Sequence, residues 1–304
     1  MNNINGSPTA PNCLVTPNQL RLLNQRSNFS GTIQLVSHLA LITATVAGVR
    51  FAQSSPLLLL AMLASGITQV AVFAALHECA HRTAFRSLWL NKAVCWGAGL
   101  VLMLPPTWFA QFHQAHHRYT QNPARDPELS IPKPRNFSQY LWIVSGIPYW
   151  RSAAWGLLVQ AAGRLDGMDY ISQHAYRQVA REARIFLAVY ATTALVAAIA
   201  GSPAPLLYWL APVLLGQPFL RLYLLPEHTG CPQSNNRLAN TRTILASAPV
   251  RWLSWNASYH TEHHLYPGVP FHALPVLHRE VYTQLQVVAK GYLAAHQDIC
   301  QTFQ

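Results

Sequence analysis

The chain has 304 residues, 51% of them hydrophobic and only 10% charged, against roughly 25% charged in an ordinary soluble domain. That composition excludes a conventional water-soluble globule and points to lipid as the surroundings. The net charge of +11 is carried mainly by arginine, with Lys92, Lys133 and Lys290 the only lysines. The arginines are scattered through apolar and aromatic stretches without a basic run, which excludes a nucleic-acid-binding patch and leaves an anionic membrane surface as the natural counterpart.

Residues 1–30 read as a polar N-terminal tail, and 31–304 as a single membrane domain. Met1 to Leu20 has no basic stretch followed by an apolar core, so no cleaved signal peptide is expected. The five cysteines, Cys13, Cys79, Cys95, Cys231 and Cys300, are odd in number and lack CxxC spacing. Neither a disulfide framework nor a zinc ribbon follows, and a reduced setting is expected.

Four apolar segments are predicted to span a membrane: Ile33 to Val49, which contains His38; Pro56 to Leu76, uncharged throughout; Ile185 to Ala200; and Leu206 to Leu225, after the turn-like Gly201-Ser202-Pro203-Ala204-Pro205. The fold class expected is therefore all-α, an integral membrane protein of about four spans. Arg221 falls in the last turn of the fourth span, where it can reach the interface. Ala93 to Leu104 is short and ends at Pro105-Pro106, and Tyr140 to Ala162 is broken by proline and glycine. Both read as interfacial or re-entrant helices. Only Arg50 lies between the first two spans and no charge lies between the third and fourth. The other side holds Arg21, Arg26, the middle region and everything after Leu225. The positive-inside rule puts that side, with both termini, in the cytoplasm.

Nine of the fourteen histidines fall in a pattern. HECAH supplies His77 and His81, HQAHH supplies His113, His116 and His117, PEHTG supplies His228, and HTEHH supplies His260, His263 and His264. Residues three and four apart share a helix face, so each box is expected to aim its imidazoles at one point. His77 follows the second span and His228 the fourth, two crossings apart, and the other boxes lie on that same side. Neutral imidazole suits iron, copper, nickel or zinc, and nine ligands exceed the needs of one ion, so two metals are expected. His38, His174, His272, His278 and His296 lie outside the pattern and read as structural.

HECAH, HQAHH and YHTEHHLYP, with Glu227-His228, resemble the histidine boxes of integral-membrane fatty acid desaturases and the related hydroxylases and carotenoid ketolases. RYTQNPARDPEL and VPFHALPVLH strengthen the likeness, which runs from about Val70 to Tyr282. The resemblance implies a four-span helical fold and a cytoplasmic site with two non-haem iron ions. It implies His77, His81, His113, His116, His117, His228, His260, His263 and His264 as ligands, O2 as oxidant and a lipid or acyl-type substrate to be desaturated or hydroxylated. Electrons would come from an external ferredoxin or cytochrome b5-like donor with its reductase, since the chain has no GxGxxG after a strand and no HPGG segment. Arg82, Arg86, Arg118 and Arg125 beside the boxes suit an acidic donor, or serve only the positive-inside bias.

Metal-bound histidines hand their second N–H to an oxygen acceptor. Glu78, Asp126, Glu227 and Glu262 are the expected acceptors. Asn256, four residues before His260 on an expected helix, is placed for a water-bridged contact, and Arg242 serves the site or pairs locally. Two other readings compete. HECAH matches the HExxH of zinc metalloproteases but leaves seven histidines without a role. A non-enzymatic metal transporter would place its site near the midplane. The Glu78-x-x-His81 pair lacks the second ExxH of a ferritin-like bundle.

Overall fold

The computed structural model describes residues 14–303, so Cys13 and the first part of the polar segment lie outside the described residues. The first helix, α1 (Pro17–Leu23), opens with a capping box: the Thr16 hydroxyl accepts from the Gln19 N–H while the Gln19 side chain accepts from the Thr16 N–H. Val15, Leu20 and Leu23 pack with Val269, Leu274 and Leu277, so this end of the segment 1–30 is folded onto the C-terminal half of the chain.

Among the described residues three helices are long and apolar enough to cross a membrane: Asn28–Ala52 (α2), Leu58–Ala80, made of Leu58–Val70 (α3) and Val72–Ala80 (α4), and a third ending in Tyr176–Ile199 (α9). Phe29, Ile33, Leu59, Leu60, Leu195 and Val196 face outward on them. Such a surface is tolerable in lipid and an aggregation hazard in water. The helix carrying the first box runs to Ala80, so His77 sits inside the last turns of the span rather than beyond its end.

Between these spans, Leu88–Leu102 (α5) and Pro106–Tyr119 (α6) meet at 93° and make a fourth crossing only if counted together. The bend has a local cause. Met103 adopts the left-handed conformation, φ 58°, and ends α5, while Pro105 and Pro106 cannot donate to a preceding turn but start a helix well. The returning chain passes so close that a Cβ on Gly99 would lie 2.4 Å from the Leu104 carbonyl oxygen. Glu182, buried on α9, accepts from the Thr107 N–H at 2.8 Å and the Thr107 hydroxyl at 2.7 Å, placing a carboxylate at the positive end of α6. The long third span thereby fixes where the second histidine box begins.

The segment 140–162 forms two helices, Phe137–Val144 (α7) and Ile147–Ala161 (α8), joined at Gly146 with φ 75°. The expected fourth span is not one regular helix. Leu206–Leu210 is π-helical and passes into Ala211–Leu224 (α10), with Pro218 inside it. It packs along α3, with Gly66 and Gly216 at the crossing. A Cβ on Gly66 would lie 1.9 Å from the Pro212 carbonyl oxygen, a contact that only glycine permits. Small residues at such crossings let helices approach where lipid supplies no hydrophobic drive.

The chain after α10 forms a cap of short elements: Arg237–Asn240 (α11), Thr243–Ile244 (β1), Ala248–Leu253 (α12), His260–Leu265 (α13), Leu274–Val281 (α14), Val288–Ala289 (β2) and Tyr292–Gln301 (α15). The two strands pair in parallel, Thr243 with Val288 and Ile244 with Ala289. Trp255, fully buried, ties the cap to the spans. Its indole N–H donates to His38 Nδ1 at 3.3 Å, and His38 Nε2 donates to the Thr68 carbonyl on α3 at 3.0 Å. His38 is thus structural. Truncating a buried tryptophan of this kind costs about 3–5 kcal/mol.

Candidate metal centre

All nine box histidines meet in the interior, in two groups. His77, His81, His113, His117 and His263 form one, and His116, His228, His260 and His264 the other, with ligand atoms in each group within 4.8 Å of one another. Contrary to the expectation that each box serves one point, the second and third boxes each divide between the groups. The reason is helical geometry. On α6, His113 and His117 are four residues apart and nearly eclipsed, whereas His116 and His117 are adjacent and diverge by about 100°. On α13, His260 and His264 share a face in the same way while His263 turns to the other group.

Their nitrogens are arranged as a ligand set. His117 Nε2 lies 2.9 Å from His113 Nε2 and 3.1 Å from His263 Nε2. His228 Nε2 lies 3.1 Å from both His116 Nε2 and His260 Nε2. Each neutral imidazole has one N–H, so these converging lone pairs cannot all be satisfied by protons. His77 Nδ1 and Nε2, His81 Nε2 and His264 Nε2 are buried with no hydrogen-bond partner at all. Burial, helped by the surrounding imidazoles, holds His228, His260, His263 and His264 well below the ordinary imidazole pKa, which leaves them neutral and able to ligate at pH 7. An all-nitrogen donor set of five and four fits two first-row metal ions with coordination positions to spare.

The two groups differ in what lies behind the rings. In the four-histidine group every Nδ1 faces an oxygen. His116 Nδ1 donates to Asp126 Oδ1 at 3.0 Å, His228 Nδ1 to the Asn240 carbonyl at 3.1 Å and His264 Nδ1 to the Thr120 hydroxyl at 3.2 Å, while His260 Nδ1 lies 3.5 Å from Glu227 Oε1. In the five-histidine group His117 Nδ1 and His263 Nδ1 have no partner. Asn240 and Thr120 escaped the sequence reading because a backbone carbonyl carries no residue signature and a threonine beside a box has no distinctive spacing.

Two sequence expectations require correction. Glu262 does not face a box histidine: its carboxylate bonds to His278 Nδ1 and accepts from the Thr243 hydroxyl at 2.6 Å. It flanks His263 in sequence, but on α13 it points into the cap. Asn256 is not on a helix with His260. It lies in a turn with φ 58°, and its amide donates to the Phe271 carbonyl at 3.1 Å. Glu78 Oε1 is 3.7 Å from His77 Nδ1, but its other oxygen accepts from the Thr83 hydroxyl at 2.8 Å and the Phe271 N–H at 3.2 Å, so it links the first box to the segment after the third. Arg242 clamps the His228 loop through the carbonyls of Pro226 and Thr229. Lys133 donates to the His228 carbonyl at 3.0 Å.

One cavity of about 1080 Å³ reaches both groups, through His77 and His113 on one side and His228 and His260 on the other. Its walls are mostly apolar, and it is slightly larger than the roughly 300–1,000 Å³ usual for small-molecule sites.

The profile of the fatty acid desaturase family matches residues 54–294, from the start of the second span to past the third box. The chain belongs to the fatty acid desaturase family. Among individual proteins this desaturase-family chain is 27% identical over 208 residues to a sphingolipid delta(4)-desaturase/C4-monooxygenase of Mus musculus, covering 67% of this chain and 59% of that protein. It is 25% identical over 218 residues to a sphingolipid delta(4)-desaturase of Xenopus tropicalis, again 67% and 59%. An sn-1 oleoyl-lipid 12-desaturase from a Picosynechococcus species is 25% identical over 249 residues, covering 76% of this chain and 69% of the relative. The chain thus spans 59% of the length of the sphingolipid relatives.

Proposed function

We propose that this chain is an oxidoreductase that desaturates or hydroxylates a lipid-like hydrocarbon chain with O2 at a two-iron centre held by the nine histidines, drawing electrons from a separate ferredoxin or cytochrome b5-like donor. The observation that carries the reading is the pair of interleaved, buried histidine groups opening on one apolar cavity. The relatives' names supply the reaction class: one covers both desaturation and monooxygenation, another desaturation of a lipid acyl chain.

The residues would work as follows. Asp126, the Asn240 carbonyl, Glu227 and Thr120 fix the tautomers and ring directions of the four-histidine group, so its Nε2 atoms present lone pairs inward. Phe73, Phe109 and Leu104 on the cavity wall keep water from the reacting carbon and hold the chain within reach. Iron held between the rings would supply the O2-derived oxidant that removes hydrogen from an unactivated C–H bond. Positive-inside reasoning puts this face and the termini in the cytoplasm. Arg82, Arg86, Arg118 and Arg125, all exposed around the boxes, would receive the acidic donor.

The metalloprotease alternative is disfavoured by the site's composition: one zinc held by His77, His81 and a third ligand would leave the whole four-histidine group without a role. The test is expression in a lipid-producing host with a matched reductase, followed by lipid profiling. A new oxidised lipid is expected from the wild type and none from His116→Ala or His263→Ala. Product from both variants would end the proposal.

A further inference from the structure

Arg221 stands near the end of α10 and lines the same cavity as His77, His113, His228 and His260. Its guanidinium lies over the Tyr149 ring, 4.6 Å from the centroid. The Tyr149 hydroxyl is committed to the Leu102 carbonyl at 2.6 Å, so the ring beneath the cation is itself fixed in place. Nε is buried with no hydrogen-bond partner, and among the described residues Arg221 enters no ion pair. Glu227 shares the cavity wall but is turned to His260. Arg221 was expected at the interface; instead it faces inward.

An arginine does not shed its charge, and a charge away from bulk water without a counter-ion is strongly disfavoured. Such a charge calls for a partner, and no carboxylate of the described residues lies within ion-pair distance: Glu128 and Glu227 act on it only from farther along the cavity wall. Leu104, Phe109 and Val159 make the surrounding wall mostly apolar. A largely apolar chamber with a pre-positioned cation is the receptor for an amphiphile that brings its anionic end inside.

We propose that Arg221 binds the oxyanion end group, carboxylate or phosphate, of the hydrocarbon substrate within the cavity. Calling that ligand the substrate rests on the oxidation proposed above. The guanidinium presents parallel N–H donors that match either oxyanion, so the headgroup's source is a matter for experiment.

Binding can be read without turnover. The full-length protein in nanodiscs is titrated with dibrominated stearic acid, its methyl ester, a dibrominated lysophosphatidate and a dibrominated ceramide. The readout is quenching of Trp108 on the cavity wall, taken as the difference between the protein and its Trp108→Phe variant. The acid, the lysophosphatidate or both should bind about tenfold or more tighter than the ester and the ceramide, as expected for one charge-assisted bond. Preference for the acid alone identifies a carboxylate, and preference for the lysophosphatidate a phosphate headgroup. Arg221→Gln should erase the preference to within about twofold, and Arg221→Lys should keep part of it. Equal binding of anions and neutral lipids by the wild type, tighter binding of the ceramide, or undiminished preference in a folded Arg221→Gln protein would overturn the assignment. If anion preference stands while no oxidised lipid forms with any donor, the oxidation fails and this inference survives. If a neutral lipid is oxidised without anion preference, the reverse holds.

Discussion

Asp126→Asn separates the two histidine groups chemically. In the wild type, Asp126 Oδ1 accepts from His116 Nδ1 at 3.0 Å and from the Glu128 N–H at 3.0 Å, and Oδ2 accepts from the Gln121 N–H at 2.8 Å. Both the His116 and Asp126 side chains are at most 2% exposed. Asparagine keeps the shape and remains a good helix cap for residues Pro127–Ser130, so folding should be little changed. One of its two terminal atoms is now an NH2, however, and in either orientation a buried N–H faces another N–H. That conflict costs about 1–3 kcal/mol. Losing the outer partner of a ligand histidine typically weakens metal binding by about 10–100-fold, which is about 1.4–2.7 kcal/mol, so the two routes to the magnitude agree. Because Asp126 touches only the four-histidine group, a chelator titration followed by mass-spectrometric iron analysis should become biphasic. One iron leaves at about 10–100-fold lower chelator concentration and the other is unmoved. Loss of both irons in parallel, or of neither, from a folded variant would refute the division into two groups with separate outer support.

Other outcomes follow from the same geometry. Gly66→Ala places a Cβ 1.9 Å from the Pro212 carbonyl oxygen and should destabilise the α3–α10 crossing by about 1–3 kcal/mol, seen as a lower Tm in detergent; an unchanged Tm would mean the helices separate freely. Gly156 lines the cavity, and a Cβ there meets only Gln160 Nε2, at 3.7 Å. Gly156→Phe should therefore fold normally, shrink the cavity and shift the product profile toward shorter chains, whereas an unaltered profile would place the substrate elsewhere. Reversing charge at Arg118 and Arg125 together, both exposed, should raise the KM for an acidic electron donor and flatten its salt dependence without moving kcat. A fall in kcat at unchanged KM would argue against docking there.

Much of this protein is legible in the sequence because the signals are local. Low charge and long apolar runs require lipid-facing helices, and three such helices are present among the described residues. The i, i+4 spacing of His77 with His81, His113 with His117 and His260 with His264 puts each pair on one helix face whatever the rest of the chain does. What no local pattern carries is which face meets which. Local spacing turns His116 and His263 away from their own neighbours, but which group each one joins follows from the way α6 and α13 approach, and the placing of α6 depends on the Pro105-Pro106 bend and on Glu182 of a distant span. The Asn240 carbonyl behind His228 and the turn of Glu262 toward His278 are likewise products of cap packing. The break in the fourth segment at Leu206–Leu210, which composition reads as one continuous span, lies instead where α3 packs on it and the Gln69 amide donates to the Tyr208 carbonyl at 3.0 Å. Arg221 shows the division most plainly. Sequence places it in the last turn of an apolar helix, where reaching for the interface is the default. Only packing against Tyr149 turns it instead toward the chamber beneath the histidines.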